Sequence, residues 1–96
     1  MSHPIDSISF AAAAERLRGV VRRTPLVPFD VGDERIELRL KLECLQETGA
    51  FKARGAWNQI SQLSAAERAA GVVTVSSGNH GKALSWAAQR AGVRCT

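Results

Sequence analysis

The chain has 96 residues and a mass of 10.3 kDa, which bounds it to one small domain or a piece of something larger. Hydrophobic residues make up 45% and charged residues 23%, which is globular and not disordered composition, and no apolar run approaches the roughly 18 residues of a membrane span. The 13 basic and 9 acidic residues leave a net charge of +4, and only Arg16, Arg18, Arg22 and Arg23 cluster, which falls short of the basic stripe of a nucleic-acid binder.

Met1 to Phe10 lacks a basic head followed by an apolar stretch, so it does not read as a secretory signal. Cys44 and Cys95 are too few for a disulfide scaffold and have no CxxC spacing, so a reducing cytoplasm is the expected location. A helix is predicted from Ser7 to about Arg18, because Ala is the strongest helix former and Asp6 or Ser7 can cap it. Pro25 and Pro28 forbid its continuation, and Gly32-Asp33 reads as a turn. Ile36 to Cys44 alternates strictly, with Ile36, Leu38, Leu40, Leu42 and Cys44 on one side, which predicts a strand with Cys44 in the core.

A second helix is expected over about Ala50 to Gln62, with Ala56, Ile60 and Leu63 on one face. Ser64 to Glu67 matches a capping box and opens a third helix, which Gly71 stops. Val72 to Val75 suits a buried parallel strand. A fourth helix is predicted over about Gly81 to Arg90, with Ala83, Leu84, Ala87, Ala88 and Ala91 inward, and Val93 begins another strand. Strand, helix, strand, helix, strand is the order of an α/β fold, here cut off at its last strand, so the chain reads as the N-terminal part of a longer protein. Trp57 and Trp86 are expected to pack in the core.

Two segments carry chemistry. In the first, Lys52 lies between a strand end and a helix start, where parallel sheets bind ligands. A helix N-terminus disfavours a protonated ammonium, burial would add to this, and a neutral lysine is a nucleophile toward carbonyl groups. Phe51 beside it offers an apolar face to a planar ring. The plainer reading is a surface lysine on an amphipathic helix. In the second, Ser76-Ser77-Gly78-Asn79-His80-Gly81 joins a strand to a helix N-terminus, and its backbone donors, hydroxyls and amide form a cradle for a carboxylate or phosphate. The plainer reading is a polar turn that caps the fourth helix. It is not a P-loop, which would need Gly at 76 and Ser or Thr at 83 where the chain has Ser76 and Ala83. His80 has no paired His or Cys at metal spacing, so no metal is expected. Glu43 and Glu47 do not form an acid/base pair, since one belongs to a strand and the other to a loop.

Lys41-Leu42-Glu43-Cys44-Leu45-Gln46 with Thr48-Gly49-Ala50-Phe51-Lys52-Ala53-Arg54-Gly55-Ala56 resembles the lysine motif of fold-type II pyridoxal-phosphate enzymes. Ser76 to Gly81 resembles the same family's substrate-carboxylate loop, and Thr24-Pro25-Leu26 after an N-terminal helix also fits. His80 after Asn79 is similar to the serine/threonine dehydratase and serine racemase branch. The resemblance implies a two-domain, parallel-sheet architecture of the tryptophan synthase β type. Residues 1–47 would contribute to the large domain and 48–96 would begin the small three-layer one. It further implies that Lys52 binds pyridoxal 5'-phosphate as a Schiff base and takes the substrate's α-proton. Phe51 would pack on the pyridine ring and Asn79 would hydrogen-bond its hydroxyl. Ser76, Ser77, Asn79 and His80 would hold the substrate carboxylate.

The implied activity is an ammonia-lyase that turns L-serine or L-threonine into a 2-oxo acid and ammonia, in a homodimer or higher homo-oligomer. Ser77 matches the opposite-face acid/base of racemases, so racemisation is the alternative, and a non-catalytic α/β module or a nucleic-acid binder built on Ala11 to Arg23 are the rivals of other classes. Ala50 and Lys82 stand where the family commonly has Ser and Gln. The family's glycine-rich phosphate loop and its partner for the pyridine nitrogen come later than Thr96, so these residues alone are expected to bind cofactor poorly and to turn over nothing.

Overall fold

The computed structural model describes residues 7–96. Helix α1 spans Phe10–Leu17. The Ser9 hydroxyl caps it by accepting from the Ala12 N–H at 3.2 Å, two residues later than the predicted Ser7; Asp6 lies outside the described residues. Strands β1 (Leu26–Phe29) and β2 (Leu38–Lys41) follow and pair antiparallel, with Leu26 opposite Lys41 and Phe29 opposite Leu38. Strand β1 has no sequence forecast, because Pro25 before it and Pro28 within it argue only against a helix. Proline is tolerated on an edge strand, and both strands of a two-stranded sheet are edges.

The alternating segment Ile36 to Cys44 is corrected in two respects. It is a strand only over Leu38–Lys41, and its apolar side is exposed, at 55% for Ile36 and 39% for Leu38. Cys44 is not a core residue: it sits exposed in a 3-10 turn, Glu43–Leu45. Alternation decides which side of a strand is apolar, but only a second layer buries it, and no described element covers this side.

The core lies between helices α2 (Lys52–Ile60) and α4 (Asn79–Ala91). Ala56 and Ile60 on α2 meet Ala83, Leu84, Ala87 and Ala88 on α4, all buried, and Ala53 on α2 is buried as well. Small side chains on both helices let the backbones approach closely, which is why a chain with so few aromatics still closes a core. Trp57 and Trp86 pack at its margin as expected, with ring centroids 6.3 Å apart. Helix α1 is tied to α2 by polar contacts: the Trp57 indole N–H donates to the Arg16 carbonyl at 2.9 Å, and the Arg16 Nε donates to Asn58 Oδ1 at 2.7 Å. Ile60 is the largest fully buried side chain. Ile60→Ala is expected to destabilise the fold by about 2–5 kcal/mol, measured by urea unfolding on the tryptophan fluorescence.

Helix α3 (Ala65–Ala70) begins at Ser64, whose hydroxyl accepts from the Glu67 N–H at 3.2 Å. Gly71 ends it at φ +87°, and a Cβ there would lie 2.8 Å from the Arg94 carbonyl oxygen. That close approach starts a parallel pairing. The Val72 N–H donates to Arg94 at 2.8 Å, the Thr96 N–H to Val72 at 3.0 Å and the Thr74 N–H to Thr96 at 2.9 Å. The parallel direction expected for 72–75 and 93–96 is present as a single bridge, Val72 with Cys95. The expected burial is not, since Val73 is 78% and Val75 98% exposed. Helix α4 starts at Asn79, two residues before its predicted start, and α2 starts at Lys52, two residues after its own. A 3-10 turn, Glu47–Gly49, with Thr48 at φ +65°, takes up the approach to α2.

Candidate active site

Lys52 is the first residue of α2, and its neighbour Ala53 is fully buried, so the helix start is anchored while the lysine stays at the surface. The burial expected for Lys52 is absent among the described residues. Its Nζ stands 5.1 Å from the centroid of the exposed Phe51 ring, and it makes no hydrogen bond or ion pair among the described residues. A cleft of about 430 Å³ joins Lys52 to Gly55, Gln59, Val73 and His80.

The polar loop leads into α4. The Ser76 hydroxyl accepts from the Gly78 N–H at 3.2 Å, and Gly81 packs so closely behind that a Cβ would lie 3.1 Å from the Ser76 Cβ. Ser76, Ser77, Asn79, Lys82, Ser85 and Thr96 line a second cleft of about 550 Å³. The structure therefore groups Lys52 with His80, and Ser76 with Ser77 and Asn79. The two clefts take consecutive residues, Asn79 and His80, of the first turn of α4, where backbone N–H groups are unpaired. Phe51 touches Lys52 but stands outside both linings.

Sequence reasoning missed the polar network beside Lys52. Arg54 forks onto Glu43, with Nε to Oε2 and Nη2 to Oε1 both at 2.8 Å, and the buried Thr24 hydroxyl donates to the same carboxylate. Gln46, 3% exposed, accepts from the Arg22 N–H at 2.8 Å and donates to the Arg22 carbonyl at 2.8 Å. Glu47 pairs with Arg22 at 3.1 Å, so neither glutamate is free for acid/base work. The only sequence signal was the presence of Thr24, Glu43, Gln46 and Arg54 inside motifs noted for other residues.

The Arg54 fork holds the Glu43 carboxyl at about 2, below the ordinary 4.5, against the cost of desolvation and with help from Thr24. A carboxyl depressed by folding stabilises above its unfolded pKa and loses that contribution as pH falls through the folded one. Stability is therefore expected to drop as pH falls from 4.5 toward about 2. Glu43→Gln is expected to flatten that part of a urea-unfolding series taken against pH.

A sequence model of the family described as "Pyridoxal-phosphate dependent enzyme" matches residues 17–96. The chain belongs to that family. An L-threonine ammonia-lyase of Thermotoga maritima is 46% identical over 86 residues, 88% of this chain and 21% of that protein. A beta-hydroxyaspartate dehydratase of Paracoccus denitrificans is 45% identical over 86 residues, 88% of this chain and 27% of that protein. The crystal structure of serine racemase from Dictyostelium discoideum superposes with a TM-score of 0.81 at 44% identity, over 88% of this chain and 29% of that one. The chain thus spans about a quarter of the length of the relatives it matches, and its α/β architecture is that of fold-type II pyridoxal-phosphate enzymes.

The donor set fits the cofactor on its chemistry. A primary amine without a polar partner among the described residues suits an aldehyde, an adjoining exposed phenyl ring suits a flat heteroaromatic, and hydroxyls with an amide at a helix N-terminus suit a ring hydroxyl or a carboxylate.

Proposed function

We propose that the protein carrying these residues is a pyridoxal-phosphate-dependent ammonia-lyase that converts a hydroxy amino acid such as L-serine or L-threonine into a 2-oxo acid and ammonia. The observation that carries the reading is the Lys52 amine, free of polar partners among the described residues, at a helix start that shares the surface beside the Ser76–Gly81 loop. Relatives named as a threonine ammonia-lyase and a hydroxyaspartate dehydratase support the substrate class.

Bound pyridoxal phosphate supplies an electron sink that acidifies the α-proton of an attached amino acid. Lys52 Nζ would be the covalent anchor for its aldehyde carbon and the base that takes the substrate's α-proton. Phe51 would support one face of the ring, and Asn79 would orient the ring hydroxyl. Ser76, Ser77, Asn79 and His80 grip the substrate carboxylate against the unpaired N–H groups of α4, which fixes the α-carbon. The β-hydroxyl departs as water, one water is consumed in hydrolysis, and the balance is one amino acid to one 2-oxo acid and one ammonia. In this reading residues 1–47 contribute to a large domain and 48–96 begin a small one, in a cytoplasmic homo-oligomer.

The test is ammonia release by the full-length protein loaded with cofactor and supplied with L-serine, L-threonine or 3-hydroxyaspartate. Release from at least one of them is expected, and none from any would overturn the reading. Racemisation is the second reading. Its support is Ser77, whose hydroxyl lies in the same cleft as Asn79 and is available as a second acid/base, and the structural likeness to a serine racemase.

A further inference from the structure

We infer that Thr24, Glu43 and Arg54 form a clamp that positions Lys52, an inference that rests on the proposed role of that lysine. Helix α2 starts against its own electrostatics. Its first turn carries two cations, Lys52 and Arg54, no acidic residue, and no side-chain cap. Cations at a helix N-terminus are unfavourable. Glu43 supplies the missing negative charge from outside the helix, in the 3-10 turn that follows β2, and takes Arg54 in a two-armed fork.

The segment between the two partners is under strain. Thr48 is the one non-glycine residue with positive φ among the described residues, and its hydroxyl is buried without a partner. Such a conformation persists only where its surroundings over-determine it. The fork closes the segment from Glu43 to Arg54, and Gln46, bonded both ways to Arg22, pins its middle. Arg54 Nη2 also donates to the Arg22 carbonyl at 3.3 Å, so one guanidinium reaches both anchors.

Helix α2 is consequently held on three sides: by α4 through Ala56 and Ile60, by α1 through Trp57 and Asn58, and by Glu43 through Arg54. The side left open carries Lys52 and Phe51. Releasing the fork would let the strained turn relax and move the start of α2. A displacement of about 1 Å is enough to cost a reaction of this kind one or two orders of magnitude.

The experiment measures how fast the full-length apoprotein takes up pyridoxal phosphate covalently, by absorbance, with the attachment site mapped after borohydride reduction. Glu43→Gln is expected to slow attachment at Lys52 by about tenfold or more. Val93→Ala, which weakens the core at a residue outside the clamp, is expected to leave the rate unchanged, with the fold of both variants checked by circular dichroism. If Glu43→Gln does not fold, Arg54→Lys carries the same expectation, since it keeps the charge and loses the fork. A wild-type rate in the clamp variant, or equal slowing by Val93→Ala, overturns the positioning role and leaves only a stabilising one. Attachment of the wild type elsewhere than Lys52 overturns the proposed function itself, and the clamp's role with it.

Discussion

Lys52→Ala in the full-length protein is expected to lower ammonia release by more than about 10³-fold, because one side chain serves as both the covalent anchor and the base. Lys52→Arg is expected to be as inactive, since a guanidinium keeps the charge but stays protonated and cannot condense with an aldehyde. Assays of 2-oxo acid and ammonia on the purified variants check both. Neither change should disturb folding, because Lys52 is exposed and makes no hydrogen bond or ion pair among the described residues, while Ala56 and Ile60 hold the helix. Variants that unfold would show that the residue is structural, and variants that keep wild-type turnover would show that it is not the base.

Ser77→Ala separates the two chemistries. Loss of a positioned acid/base costs about 10²–10⁴-fold in the step it serves. Exchange between L- and D-serine, followed by chiral chromatography, is expected to fall by that factor. Ammonia release should stay within a few-fold, because Ser76, Asn79 and His80 remain to hold the carboxylate and Lys52 still removes the α-proton. Equal loss of both activities would assign Ser77 to carboxylate binding alone.

The helical core was legible in the sequence because α4 writes its contacts in one period: Ala83, Leu84, Ala87 and Ala88 recur on one face, and all are buried. The lysine and the serine–asparagine loop were legible through resemblance, since composition and spacing alone left each with a plain surface reading. Other features depend on partners remote in sequence. Strand β1 contains Pro28, which fits a strand only because it lies at an edge. Cys44 follows an alternating run, but the run ends in a 3-10 turn that turns the cysteine outward. Thr24 and Gln46 are polar and buried, and nothing local announces that. Their burial is tolerable only because Glu43 and Arg22 meet their hydrogen bonds from 19 and 24 residues away.

Covalent capture tests the account most directly, because the chain offers the cofactor three lysines, Lys41, Lys52 and Lys82. Lys41 is engaged with the Thr24 carbonyl at 3.3 Å and with Glu43 at 3.9 Å, whereas Lys82 lines the serine cleft and is the real competitor. The full-length protein, loaded with pyridoxal phosphate, reduced with borohydride and digested, should carry the cofactor on the peptide containing Lys52. Recovery of the label on Lys82, on any other residue, or on none would contradict the account.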